Sequence, residues 1–205
     1  ERALIEAAFL RFPPSISEFT FTNLFIWRHG YQLKISRLQD FLCLLSDKGE
    51  TSFFFPPIGE VDRVKCCQLL LHYLKGRGVP PRVSRVPESM ATHTDWKAAG
   101  MVAEFDRDQS DYVYRIEDLT KLEGRKYHRK RNHIKQFKEK YSYEYIPLTA
   151  EWIPECLRLE TEWCDLRHCE VIPGLANESI AIKETFTHFN QLSVKGGVIF
   201  ISGKV

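Results

Sequence analysis

Near the start of the chain, apolar residues recur at helical spacing in two stretches, about 2–10 and 17–29. The second follows Pro13-Pro14-Ser15 and holds Phe19, Phe25, Ile26 and Trp27. The pattern then changes period. Gln32–Leu38, Phe41–Ser46 and Thr51–Phe55 are rich in residues that suit a half-buried pleated surface and are punctuated by Asp47-Lys48-Gly49-Glu50, which predicts a three-stranded meander. Val61, Val64, Cys67, Leu70, Leu71 and Leu74 share one face of a helix expected over about 60–75, stopped by Gly76 and Gly78 with Pro80-Pro81 beyond. A strand at 82–86, a helix at 88–99 after Pro87, and strands at 101–106 and 111–115 follow. After a polar interval the apolar pattern resumes with a strand at Tyr143–Pro147, helices at about 150–167 and 177–192, and a strand at Gly196–Ser202.

The interval between these halves carries the charge. The chain holds 29 Lys and Arg against 27 Asp and Glu, a net +2. Nine of those cations lie between Lys121 and Lys140, opposed only by Glu123 and Glu139, so that stretch is +7 (9 − 2) and the remainder −5 (20 − 25). A one-signed block gains little from intrahelical pairs and repels itself unless something anionic faces it. Thr120-Lys121-Leu122-Glu123 has the form of a capping box, and Gly124 suggests a break before a second start near Arg125. Tyr127, Ile134, Phe137 and Tyr141 fall on one stripe, so the helix is expected to dock by its aromatic side and to present Lys126, Arg129, Lys130 and Lys135 elsewhere.

Composition narrows the class. With 205 residues, 43% of them hydrophobic, the chain can bury a sizeable core. No run of about 18 apolar residues occurs and the opening lacks a signal-peptide layout, so a cytoplasmic protein without a transmembrane segment is expected. The first residue is not Met and the last residues read as strand, which suggests a fragment. Cys43, Cys66 and Cys67 sit in apolar segments and read as reduced, buried thiols. Cys156, Cys164, His168 and Cys169 lack the two tight ligand couples of a zinc site, and no metal is expected.

The succession of strand, two helices, three meander strands, helix, strand, helix and two strands resembles the GCN5-related N-acetyltransferase (GNAT) fold. The order restarts after the basic helix. The expected fold class is therefore α+β, a mixed sheet flanked by helices, with a GNAT-like fold in tandem and the second copy truncated. The domains are a first copy at 1–115, a linking basic helix at 116–142, and the incomplete N-terminal part of a second copy at 143–205.

Specific residues carry a closer resemblance. Asp111-Tyr112-Val113-Tyr114, then Leu119, Leu122, Gly124-Arg125-Lys126-Tyr127-His128-Arg129-Lys130-Arg131-Asn132-His133 and Phe137 resemble the signature of bacterial tandem-GNAT proteins related to the C-terminal domain of phosphatidylglycerol lysyltransferases. Asn23–Trp27, Phe55–Gly59, Trp163, Glu178 and Gly196-Gly197 fit the same family. The resemblance implies a transferase that moves an aminoacyl group from aminoacyl-tRNA to phosphatidylglycerol or another acceptor. It implies no tightly bound cofactor, aminoacyl-tRNA or acyl-CoA as co-substrate, and tRNA and an anionic lipid or other phosphorylated acceptor as partners. Arg and Lys interleaved with Tyr, His and Asn suit phosphate clamping and stacking. An acyl-CoA-dependent N-acyltransferase needs a Gly-rich phosphate cradle, whereas Pro56-Pro57-Ile58-Gly59-Glu60 has two residues without N–H and a carboxylate at the anion's place.

Lys126, Lys130 and Arg131 are the expected anion contacts, with His128 and Asn132 as polar partners. Asp111, Tyr112 and Tyr114 are candidates to orient a substrate, although Asp111 could instead pair with Arg131 and lock the linker. No catalytic residue is identified: Glu160, Glu162 and Asp165 near Trp163 offer carboxylates, but their spacing singles none out. His29, His72, His93 and His188 read as packing or surface histidines. Three other readings stand beside aminoacyl transfer: a non-catalytic module that binds RNA or an anionic membrane surface, an acyl-CoA-dependent N-acyltransferase whose phosphate cradle would lie in the second copy, and a solvated linker helix.

Overall fold

A computed structural model describes residues 1–60, 62–92 and 96–205; Val61, His93 and the middle of the helix expected at 88–99 lie outside them. The class is α+β, helices with small antiparallel sheets. The chain divides into two compact units, Glu1–Asp111 and Tyr112–Val205.

The first unit opens with α1 (Arg2–Arg11), α2 (Phe21–Ile26) and α3 (Arg28–Tyr31). The continuous helix expected at 17–29 is instead two short ones. Thr20 caps α2 by accepting from the Asn23 N–H, and Trp27 leaves helical geometry between them. Strands β1 (Leu33–Leu38), β2 (Phe41–Ser46) and β3 (Phe53–Phe54) form the meander, with β1 and β2 paired from Leu33 opposite Ser46 to Leu38 opposite Phe41.

Strand β2 is buried on both faces rather than half-buried. Phe41, Cys43 and Leu45 pack one side against Cys66, Leu70 and Leu74 of α4 (Arg63–Gly76), while Leu42 and Leu44 pack the other against Ile5, Phe19, Leu24 and Phe55. That double burial explains its unbroken apolar run, since alternation marks only strands with one wet face. Two layers of helix thus sandwich one central strand.

Beyond α4 the expected strand at 82–86 shrinks to a parallel bridge between Val83 and Phe54, and the described part of the next helix is α5 (Glu88–Thr92). Neither 101–106 nor 111–115 is a strand. Val102 and Phe105 are 81% and 82% exposed, and among the described residues no strand pairs with them to complete a ladder.

The second unit contains α6 (Ile116–Lys121), α7 (His128–Lys140), β4 (Tyr143–Pro147), α8 (Ile153–Arg167), α9 (Pro173–Thr187), α10 (Phe189–Leu192) and β5 (Gly197–Ile201). The helix expected at 177–192 begins earlier, at Pro173, and breaks at His188. Strands β4 and β5 pair antiparallel, Tyr143 opposite Ile201, and the Trp152 ring meets Phe200 edge-on at 5.2 Å. The Tyr145 ring covers Gly197, where a Cβ would overlap it, so this glycine exists to admit an aromatic ring across the ladder.

Candidate functional site

The basic segment forms a helix–turn–helix. Thr120 is not an N-cap; it lies inside α6 and its hydroxyl donates to the Ile116 carbonyl. Helix α6 ends at Leu122, which is left-handed (φ 51°), and Gly124 (φ 84°) turns the chain, as the sequence suggested, into a 3-10 turn at Arg125–Tyr127 that leads into α7. Only Gly tolerates such a φ without steric cost, which fixes the break there.

Arg131 holds this corner. Its Nη1 donates to the Leu122 carbonyl and, at 2.8 Å, to the Gly124 carbonyl, satisfying oxygens that the end of α6 leaves over. The docking stripe is narrower than the spacing predicts. Tyr127 is buried and Phe137 packs on Tyr141 and Tyr143 at 5.3 and 5.1 Å, but Ile134 is exposed.

Between α6 and α7 lies a groove of about 520 Å³, walled by Leu119, Leu122 and Ile134 and edged by Lys121, Arg131, Lys135 and Lys138. Glu139 also borders it and meets Lys135 at 3.7 Å. Four cations against one carboxylate leave the groove strongly positive. Exposed pairs of this kind are worth at most about 1 kcal/mol, so Lys135 is readily recruited by another anion.

Of the site residues expected from sequence, Arg131 alone edges the groove. Lys126 pairs with Asp118 at 3.2 Å and lies over the Tyr127 ring; the hydrogen bond to Asp118 raises its pKa. The side chains of His128, Lys130 and Asn132 are exposed, with no hydrogen-bond or ion-pair partner among the described residues. Tyr112 and Tyr114 stack on each other, centroids 6.4 Å apart. Asp111 belongs to the first unit, where it accepts from the Ser17 hydroxyl at 3.2 Å and from the Ser17 N–H at 3.4 Å. It meets Ser17 rather than Arg131, the partner considered from sequence.

Lys121, Lys135 and Lys138 also edge the groove; sequence reasoning counted all three in the basic segment without singling them out. The signal was present, since Arg131, Ile134, Lys135 and Lys138 stand three, four and seven residues apart on one helical face.

Elsewhere in this unit, Glu160 is 9% exposed; its Oε1 lies 3.3 Å from Cys164 Sγ and its Oε2 has no hydrogen-bond partner among the described residues. Burial thus singles out one of the three carboxylates that spacing could not separate. Cys164 and Cys169 are joined in a disulfide, Cα–Cα 5.0 Å, which removes both from any ligand set. In the first unit Cys43, Cys66 and Cys67 are free and buried. The hydrogen bond with Cys66 and then burial push the Cys43 thiol far up, and burial pushes Cys67 up to about 12, so both stay protonated. Among the described residues no group of three or more His, Cys, Asp or Glu could hold a metal ion, and no helix is long and apolar enough to cross a membrane.

The family model described as phosphatidylglycerol lysyltransferase, C-terminal, matches residues 10–205. A solved structure similar to this chain is a conserved protein of unknown function from Bacteroides thetaiotaomicron VPI-5482, with 31% identity and a TM-score of 0.84 over 99% of this chain and 69% of that one. No curated protein matches.

Proposed function

The chain belongs to the phosphatidylglycerol lysyltransferase C-terminal family, and from that membership we propose that it moves an aminoacyl group from aminoacyl-tRNA to a lipid or other acceptor, gripping the phosphates of one substrate in the groove between α6 and α7. The observation that carries this reading is the convergence of Lys121, Arg131, Lys135 and Lys138 on one concave surface. Cations scattered only for solubility have no reason to line a groove. Helix α7 also carries Arg129, Lys130 and Arg131 in its first turn, the end at which the helix dipole is already positive. That placement lowers local helix stability, and a bound anion offsets it.

A tandem GNAT arrangement is part of the proposal. The order of β1–β3 followed by α4 and the parallel Val83 bridge, and of β4, three helices and antiparallel β5, is what supports it. Pro56 and Pro57 before α4 lack the N–H groups of a phosphate cradle, which favours aminoacyl-tRNA over acyl-CoA as donor in the first unit. Transfer of this kind rests chiefly on holding the ester carbonyl beside the acceptor nucleophile.

The test pairs binding with turnover. The protein is expected to transfer labelled amino acid from charged tRNA to an acceptor in a panel that includes phosphatidylglycerol vesicles. Replacing Lys121, Lys135 and Lys138 together by Gln should flatten the log–log salt dependence of tRNA binding by about 0.7–0.9 per lost contact. Transfer to no acceptor removes the enzymatic reading and leaves anion binding; unaltered tRNA affinity and salt slope in the triple variant remove the groove.

A further inference from the structure

Helix α8 ends in a corner closed by a covalent bond. After Arg167 the chain turns left-handed at His168 (φ 53°), passes through a 3-10 turn at Cys169–Val171 and enters α9 at Pro173. Cys164, in the last turn of α8, is bonded across this corner to Cys169, five residues on. A bridge over so short a loop removes little freedom from the unfolded chain, so it contributes less to folding than a long-range bridge does. Its surroundings point to chemistry instead.

Glu160 stands one turn before Cys164 on the same face of α8, buried, with Oε1 3.3 Å from Cys164 Sγ. A sulfur in a disulfide carries no proton to donate. With the bond closed, neither Glu160 oxygen therefore has a donor among the described residues, because Oε2 has no partner of its own. A buried carboxyl group in that condition is uncommon and costly. Reduction changes this at once, since Cys164 becomes a thiol with an acceptor already within reach of its S–H. The side chain of Glu160 is thus better satisfied in the dithiol state than in the disulfide state, and its burial favours reduction.

We propose that Cys164 and Cys169 are a reversible redox modification site, exchanging with small thiols of the glutathione class, in which Glu160 accepts from the Cys164 thiol of the reduced state. Cys164 is half-buried and Cys169 only 4% exposed, so the incoming thiolate attacks Cys164 Sγ. The bond between the two cysteines breaks, and Cys169 leaves with the electron pair and takes up a proton. A second thiol attacks the outer sulfur of the mixed disulfide, departs as the oxidised small disulfide and frees Cys164, which takes up a proton and donates it to Glu160 as a hydrogen bond. Two electrons and two protons enter the pair, and two small thiols are oxidised to one disulfide. Opening the bond also leaves His168, a residue with a side chain in a left-handed conformation, without its covalent brace, so the corner between α8 and α9 loosens. Nothing in this site depends on the groove between α6 and α7 or on the transfer reading.

The whole chain is equilibrated without denaturant in glutathione buffers of graded ratio, its thiols are trapped by alkylation, and peptide mapping reads Cys164 and Cys169 apart from Cys156, which is free and half-buried. The two are expected to become labelled together as the buffer grows more reducing, and to lose the label together on reoxidation. Glu160→Leu removes the acceptor and should shift the equilibrium constant about tenfold toward the disulfide, a midpoint change of about 30 mV. Glu160→Gln keeps a weaker, neutral acceptor and should shift it the same way by less. Reduction of the unaltered chain should also speed amide exchange between residues 165 and 172. Circular dichroism checks that each variant is folded, and if Glu160→Leu is not, Glu160→Gln decides. A bond that survives millimolar reduced glutathione in the folded chain, a pair that no buffer oxidises, a midpoint that Glu160→Gln leaves unchanged or moves the other way, or exchange at 165–172 that ignores reduction would each overturn the proposal.

Discussion

At the scale of single residues, the contacts that decide stability are ones of shape. Gly59 sits against the Phe41 ring so closely that an added Cβ would overlap it, and Phe41 is itself locked in the core between β2 and α4. Neither partner can yield cheaply. Gly59→Ala is therefore expected to cost about 1–3 kcal/mol in chemical denaturation, as overpacking in filled interiors does. A midpoint equal to that of the unaltered chain would show that the turn gives way instead. Glu160 and Arg63 mark the opposite condition, polar groups whose surroundings leave an atom unanswered. Both were invisible as sequence letters, since Glu and Arg are common on helix surfaces and burial alone sets these apart.

Elements are tied together by a few ionic anchors, of which Asp47 is the most enclosed. It follows β2, its side chain is 8% exposed, and it meets Lys34 of β1 and, at 2.8 Å, Arg77 just past α4. The hydrogen bonds from Lys34 and then Arg77 hold its carboxyl below the usual range. A lowered folded pKa means that the ionised form is favoured by folding. Its contribution is complete above the unfolded value of about 3.9 and fades as pH falls through the folded one. Asp47→Asn should thus be less stable than the parent at neutral pH, with the gap narrowing on acidification below about pH 4. A gap independent of pH down to about 2 would assign Asp47's effect to packing.

The same scale shows where local pattern succeeded. Strands β2 and β4 occupy the residues their composition predicted, and Gly124 broke the basic segment as expected, because each answer depended on neighbours in sequence. The strands expected at 101–106 and 111–115 failed because a strand requires a partner edge, and among the described residues no strand pairs with either segment, where Val102, Phe105 and Val113 stay exposed. The disulfide between Cys164 and Cys169 likewise depended on His168 turning left-handed after α8, which the spacing did not announce.

For the whole molecule, burial is unevenly shared. Both hydrophobic clusters, one on each face of β2, lie within Glu1–Asp111, while the second unit's buried residues are fewer, among them Tyr127, Ala181, Leu192 and Val198. Opening free energy follows buried apolar contact, so amide exchange should be slowest at Leu42–Leu45 and faster throughout Tyr112–Val205. Equal protection in the two units would mean that they unfold as one.

Sequence alone determined the family, through a long motif from Asp111 to Phe137, together with the class of fold and the existence of a concentrated positive segment, for charge and period are carried by consecutive letters. It did not determine which cations lie along one concave surface. That was decided by the turn at Leu122–Gly124, which lays α6 beside α7 so that Lys121, Arg131, Lys135 and Lys138 edge one groove while Lys126 meets Asp118 and Asp111 meets Ser17. A groove is a relation between surfaces, and only the path of the chain in space brings those surfaces together.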